Sequence, residues 1–90
     1  MRFEWDDRKS DDNRAKHGFA FDDVMTVFLD HNRVTFLDAR SDYGEDRWTT
    51  LGEIEGRLFA LTFTMRGEVI RIISARKANK RERKRYDDNR

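Results

Sequence analysis

The side chains best suited to chemistry on a charged substrate lie in the last twenty residues. Arg71 and Arg76 come first, Lys77 and Arg83 follow, and Glu82 and Tyr86 stand four apart. A guanidinium stays charged and grips phosphate through a planar fork of N–H donors. Arg76 falls where a Val- and Ile-rich run gives way to a basic segment, so it is the first candidate for stabilising a phosphate; otherwise it pairs with an acid of the body. Arg71 either joins it or makes a cross-strand surface pair. Glu82 can act as a base or close a helix cap. Tyr86 can stack, donate a proton, or dock a helix by its ring. Lys77 and Arg83 can contact phosphates or merely solubilise. Upstream, Arg47 can hold a backbone phosphate or pair with Glu45 or Asp46.

Other titratable groups carry less. His17 is tempting as a general base because it is an imidazole, but its place before Gly18 suits a helix C-terminus. His31 reads as loop surface. Asp38, Asp42, Glu45 and Asp46 could be taken for a hard-metal site, but their spacing matches no calcium loop. No metal or cofactor is expected. Trp5 and Trp48 read as core or edge cover.

These candidates must be positioned by a hairpin. Residues 58–65 alternate, with Phe59, Leu61, Phe63 and Met65 on one side, and residues 69–76 form the return strand. Taking Arg66-Gly67 as the two-residue loop sets Phe63 against Ile70 and Leu61 against Ile72, and leaves Arg71 opposite Thr62 on the more polar face. Asn79 then caps a basic C-terminal helix, with Glu82 three residues on completing a capping-box pair.

Toward the N-terminus, Phe3 and Trp5 mark a short strand. Asp6 and Asp7 open a helix that closes at His17-Gly18, although its apolar periodicity is poor. Phe21, Val24, Met25 and Phe28 give a second helix, to Asp30, with Ala20 at an N-cap position that lacks a side-chain acceptor. Val34 to Asp38 and Trp48 to Ile54 read as strands, the latter with Gly52 as a bulge candidate. The order β-α-α-β-β-β-β-α implies an α+β fold, two N-terminal helices packed on an antiparallel four-stranded sheet with a basic C-terminal helix. Residues 1–90 are expected to form one domain.

Composition narrows the classes. Ninety residues without cysteine exclude a disulfide framework, a thiolate nucleophile and a Cys-ligated zinc. No apolar run approaches membrane-spanning length, so a cytoplasmic protein with no membrane partner is expected. The net charge of +1 conceals an asymmetry. Residues 1–70 carry 10 basic and 15 acidic side chains, and residues 71–90 carry 9 basic and 3 acidic. A basic tail on an acidic body fits a phosphate-bearing partner, an acidic protein partner, or a helix laced with ion pairs.

Several segments together resemble the BrnT (DUF497) family of type II toxin–antitoxin toxins. They are Phe3-Glu4-Trp5-Asp6, Asn13, Lys16-His17-Gly18, Phe21-Asp22-Asp23, Asp38-Ala39-Arg40, Tyr43-Gly44-Glu45 and Arg47. The longest match runs from Arg71 through Ser74-Ala75-Arg76-Lys77-Ala78 to Glu82-Arg83 and Tyr86. The resemblance implies a RelE-like fold and an endoribonuclease that cleaves RNA and inhibits translation. It implies a BrnA-like ribbon-helix-helix antitoxin, in a heterotetramer built on an antitoxin dimer, with promoter DNA bound only through the antitoxin. In that light Arg76, Arg71, Glu82 and Tyr86 are the catalytic candidates, and Arg47, Lys77 and Arg83 the RNA-binding ones. The alternative is a non-catalytic module that binds nucleic acid or docks an antitoxin.

Overall fold

A computed structural model describes residues 1–38 and 44–89. Strand β1 (Arg2–Glu4) leads into helix α1 (Asp7–His17) and the single-turn helix α2 (Phe21–Val24), which continues as a 3-10 segment over Met25–Leu29. Strands β2 (Val34–Leu37), β3 (Trp48–Ile54), β4 (Arg57–Arg66) and β5 (Val69–Lys77) follow, then helix α3 (Lys80–Asp88).

Local chemistry sets the helix ends. Asp6 accepts from the backbone N–H groups of Arg8 (2.9 Å) and Lys9 (3.2 Å), and Gly18 closes α1 at φ 87° with its N–H on the Arg14 carbonyl. The weak apolar periodicity of α1 has a physical counterpart: its buried residues are Ser10 and Asn13. The helix is held by hydrogen bonds rather than by an apolar stripe. The Asn13 amide accepts from the Ala75 N–H and donates to the Ala75 carbonyl, so it takes the place of a neighbouring strand on β5. Ser10 Oγ accepts from the Phe21 N–H at 2.9 Å and caps α2 from outside, where Ala20 has no acceptor to offer.

The second helix departs from the expected run to Asp30. Phe21, Val24 and Val27, all at or below 1% exposure, recur every third residue, which is the 3-10 period, while Met25 is only partly buried. The tighter winding is accommodated by Gly52. A Cβ there would lie 2.9 Å from the Val27 Cβ and carbonyl oxygen. Gly52 is therefore a point of close approach and not the expected bulge, since the β3–β4 ladder runs without a break from Trp48↔Phe63 to Ile54↔Arg57.

The sheet has five strands in the order β1-β5-β4-β3-β2, and it is mixed rather than antiparallel and four-stranded. β1 pairs parallel with β5, Phe3 opposite Ile70 and Glu4 opposite Arg71. Three residues suffice to cover part of an edge that would otherwise be open to pairing with another chain.

The β4–β5 hairpin also differs from expectation. Arg66 pairs with Val69, so the loop is Gly67-Glu68, with positive φ (62°) at Gly67 alone of the two. That is the type II′ pattern, in which glycine holds the first loop position. The register moves by two, so Phe63 meets Ile72 and not Ile70, and Thr64, not Thr62, meets Arg71. Beyond Phe63 the register shifts again, because Thr62 opposes Ser74 and Ile73 is left as the extra residue of a bulge.

Both sheet faces are covered. Phe59, Leu61, Phe63, Ile70, Ile72 and Ala75 pack under α2 and the 3-10 segment. On the other face Leu51, Leu58 and Ala60 pack under Tyr86 of α3.

Candidate functional site

The Ile73 bulge decides which face carries the arginines of β5. Arg71 and Arg76 are five residues apart, an odd interval that would place them on opposite faces of a regular strand. The bulge restores the parity: Arg71 stands opposite Thr64 and Arg76 opposite Ala60, both on the α3 face. Four β4 positions still separate them, about 13 Å along the strand.

Arg76 sits where β5 runs into the cap of α3. Its Nη1 donates to Glu82 Oε1 at 2.8 Å and its Nη2 to Glu82 Oε2 at 3.0 Å, a fork-to-fork pair. Glu82 Oε1 also accepts from the Asn79 N–H at 2.9 Å, and Asn79 Oδ1 accepts from the Glu82 N–H at 2.9 Å. The expected capping box is thus fused to the arginine. The hydrogen bonds from Arg76 hold the Glu82 carboxyl below the ordinary carboxylate range; burial opposes this, and the Asn79 N–H and the Arg76 charge reinforce it. The Arg76 guanidinium is correspondingly raised, first by the Glu82 hydrogen bonds.

Beside this pair opens a cleft of about 580 Å³ between α3 and the β2–β3 end of the sheet. Arg81, Glu82 and Arg85 form its α3 wall, Arg76 reaches it from the end of β5, and Phe36, Leu37, Asp38 and Thr49 line the β2–β3 side. A smaller hollow of about 300 Å³ adjoins it at Asn79 and Phe36. Three guanidinium groups therefore line one concavity, that of Arg85 lying over the Phe36 ring. Such a space can hold a phosphodiester and an adjacent ring.

The rotation of α3 explains which cations reach the cleft. Tyr86 is 1% exposed, packs on Leu51, Leu58 and Ala60, and donates its hydroxyl to Asp30 Oδ2. With Tyr86 pointing to the sheet and about 100° per residue, Arg83 lies about 60° to one side, while Arg85 and Arg81 lie about 100° and 140° to the other. Arg83 accordingly turns away from the cleft, donating to Glu53 Oε2 (2.7 Å) and the Gly56 carbonyl (3.4 Å), with Asp87 also 3.5 Å away.

Of the residues singled out in the sequence, Arg76 and Glu82 come together and line the cleft. The others do not join them. Arg71 donates to Glu4 of β1 and is absent from the cleft wall. Lys77, next to Arg76, opposes Phe59 and so points to the other sheet face. Arg47 precedes β3, its Nε 3.8 Å from Glu45 Oε2 and its carbonyl accepting from Asp38. Tyr86 lies under α3 with no ring face open to a ligand. His17 ends α1, as its position before Gly18 suggests. Asp38, Glu45 and Asp46 belong to no group of three or more metal-ligating side chains among the described residues, and Asp42 lies outside those residues. Arg81, Arg85 and Phe36 were not legible as site residues. The available signal was the i, i+4 spacing of Arg81 and Arg85, which becomes informative only once the buried face of α3 is known.

The fold is a small α+β domain with an arginine-lined cleft at the junction of its last strand and last helix. The family profile described as "Ribonuclease toxin, BrnT, of type II toxin-antitoxin system" matches residues 5–82, and the chain belongs to this family. No curated protein matches the chain significantly. No helix among the described residues is long and apolar enough to cross a membrane.

Proposed function

We propose that the chain acts as a metal-independent endoribonuclease whose phosphate site is the Arg76 cleft. The observation that carries this reading is the bidentate Arg76–Glu82 pair at the head of a concavity shared with Arg81 and Arg85. A carboxylate held on both guanidinium N–H pairs occupies the geometry that a phosphate would take.

RNA cleavage by the 2′-hydroxyl makes a bond from O2′ to phosphorus and breaks the bond to O5′. The O2′ proton passes to Glu82, and O5′ departs with a proton taken from solvent water. Arg76 and Arg81 stabilise the extra negative charge on the crowded phosphate, worth roughly 3–4 kcal/mol per well-placed donor. Glu82 has a role tied to Arg76. While paired, its carboxyl is held low and is a weak base. When the phosphate takes over the guanidinium, the largest cause of that depression is removed, and Glu82 becomes a better acceptor for the O2′ proton.

Family membership and the resemblance support the biological setting: an RNA target in the cytoplasm, inhibition of translation, and neutralisation by a BrnA-like ribbon-helix-helix antitoxin. In this reading an antitoxin dimer joins toxin copies in a heterotetramer, and promoter DNA is bound only through the antitoxin.

The test is cleavage in EDTA of an end-labelled RNA and of the same RNA with a single 2′-deoxy residue at the cut position, on naked RNA and on translating ribosomes. Cutting that is abolished by the deoxy substitution and leaves a 2′,3′-cyclic phosphate is expected. Cutting that needs added metal, or ignores the deoxy residue, contradicts the mechanism. Binding without any cutting would assign the chain to the non-catalytic alternative.

A further inference from the structure

We infer that Phe36 and Arg85 form a nucleobase platform beside the Arg76 phosphate site, so that the cleft reads one base as well as a backbone; this rests on the RNA reading above. The Arg85 guanidinium carbon lies 3.8 Å from the centroid of the Phe36 ring. At that separation the plane of the guanidinium covers the ring, and the pair is held by cation–π attraction. Phe36 is half-buried and rests against Leu51, Leu58, Ala60 and Tyr86, so the ring is fixed by the core beneath α3. Arg85 is exposed.

Both residues line the cleft that contains Arg76, as does Arg81. A nucleotide whose phosphate meets Arg76 can therefore lay its base on the Arg85–Phe36 stack. Bases stack on arginine planes and on phenylalanine alike. The ion pairs on the rest of α3 sharpen the contrast. Arg83 is engaged by Glu53 and Lys84 by Asp88, whereas Arg85 is the cation of this helix laid over a ring of β2. Direct stacking favours a base but does not by itself choose among the four.

The experiment uses the intact protein and a short, uncleavable 2′-O-methyl RNA, with a single abasic site moved through each position. Affinity is read by fluorescence anisotropy. For the wild type, one position is expected to lose about tenfold in affinity when its base is removed. That penalty should fall to within about twofold in Arg85→Lys, which keeps the charge but loses the plane, and in Phe36→Leu, which keeps an apolar filler. A uniform affinity for every abasic probe overturns the platform while leaving phosphate binding intact. Persistence of the penalty in both variants also overturns it. No binding of any probe overturns the platform together with the RNA reading on which it rests.

Discussion

Glu82 belongs at once to the fold and to the proposed site. Glu82 closes the α3 capping box and engages both arms of Arg76, so removing its charge affects the helix start and the guanidinium together. Asp30 makes the corresponding junction at the other end of α3. It accepts from the Tyr86 hydroxyl and the Glu53 N–H through one oxygen and from the Asn32 N–H through the other. Burial pushes its carboxyl up, but these hydrogen bonds and the Arg33 charge outweigh burial and leave it below its ordinary value. A carboxyl depressed on folding stabilises the protein above its unfolded value and loses that contribution as pH falls through the lower folded value. The urea midpoints of the wild type and Asp30→Asn should therefore differ at pH 7 and converge below about pH 4. A gap that is constant from pH 7 to pH 3 would contradict the assignment.

One turn and one contact carry testable consequences for the elements. The β3–β4 loop places Glu55 at φ 51° and Gly56 at φ 80°, both left-handed. A two-residue loop of this kind favours Asn-Gly, because a longer side chain is strained there. Glu55→Asn should raise stability by about 0.5–1 kcal/mol, read as a higher urea midpoint at unchanged slope. The opposite sign is expected at Gly52. A methyl group would meet the Val27 carbonyl and Cβ at 2.9 Å, and backbone cannot swing aside as a flexible side chain can. Gly52→Ala should cost about 1–3 kcal/mol. A thermal melt equal to the wild type would show that the 3-10 segment does not depend on this approach.

Across the molecule, what was legible in the sequence was local. The Asp6 cap, the Gly18 C-terminus and the Asn79–Glu82 box each involve partners no more than four residues apart, and all three formed where expected. The hairpin strands were legible by alternation, but their register was not. Shifting the loop from Arg66-Gly67 to Gly67-Glu68 keeps Phe63 and Ile72 on one face, so the apolar pattern tolerates either. The Ile73 bulge and the parallel pairing of β1 depend on contacts across the chain, among them the Asn13 amide on Ala75, that no local pattern reveals. The candidate site divides in the same way. Arg76 and Glu82, six residues apart, were each legible as candidates, although their pairing was not. Phe36 joins them only through the packing of Tyr86, which sets the rotation of α3 and turns Arg83 outward to Glu53.

The charge asymmetry also reads differently in three dimensions. Arg71, Arg76, Arg83 and Lys84 are each paired with an acid, so part of the basic tail holds the fold together. Arg81 and Arg85 instead line the cleft in which the proposed chemistry is seated. The most direct measurement compares RNA cleavage by the wild type, Arg76→Lys and Arg83→Ala, each checked for native folding by its thermal melt. Arg76→Lys keeps a charge for Glu82 but loses the planar fork, and is expected to lower cleavage about 100-fold or more. Arg83→Ala, which opens a contact outside the cleft, is expected to keep most of the activity. Equal activity of Arg76→Lys and the wild type, or a loss confined to Arg83→Ala, would place the chemistry elsewhere and contradict the account.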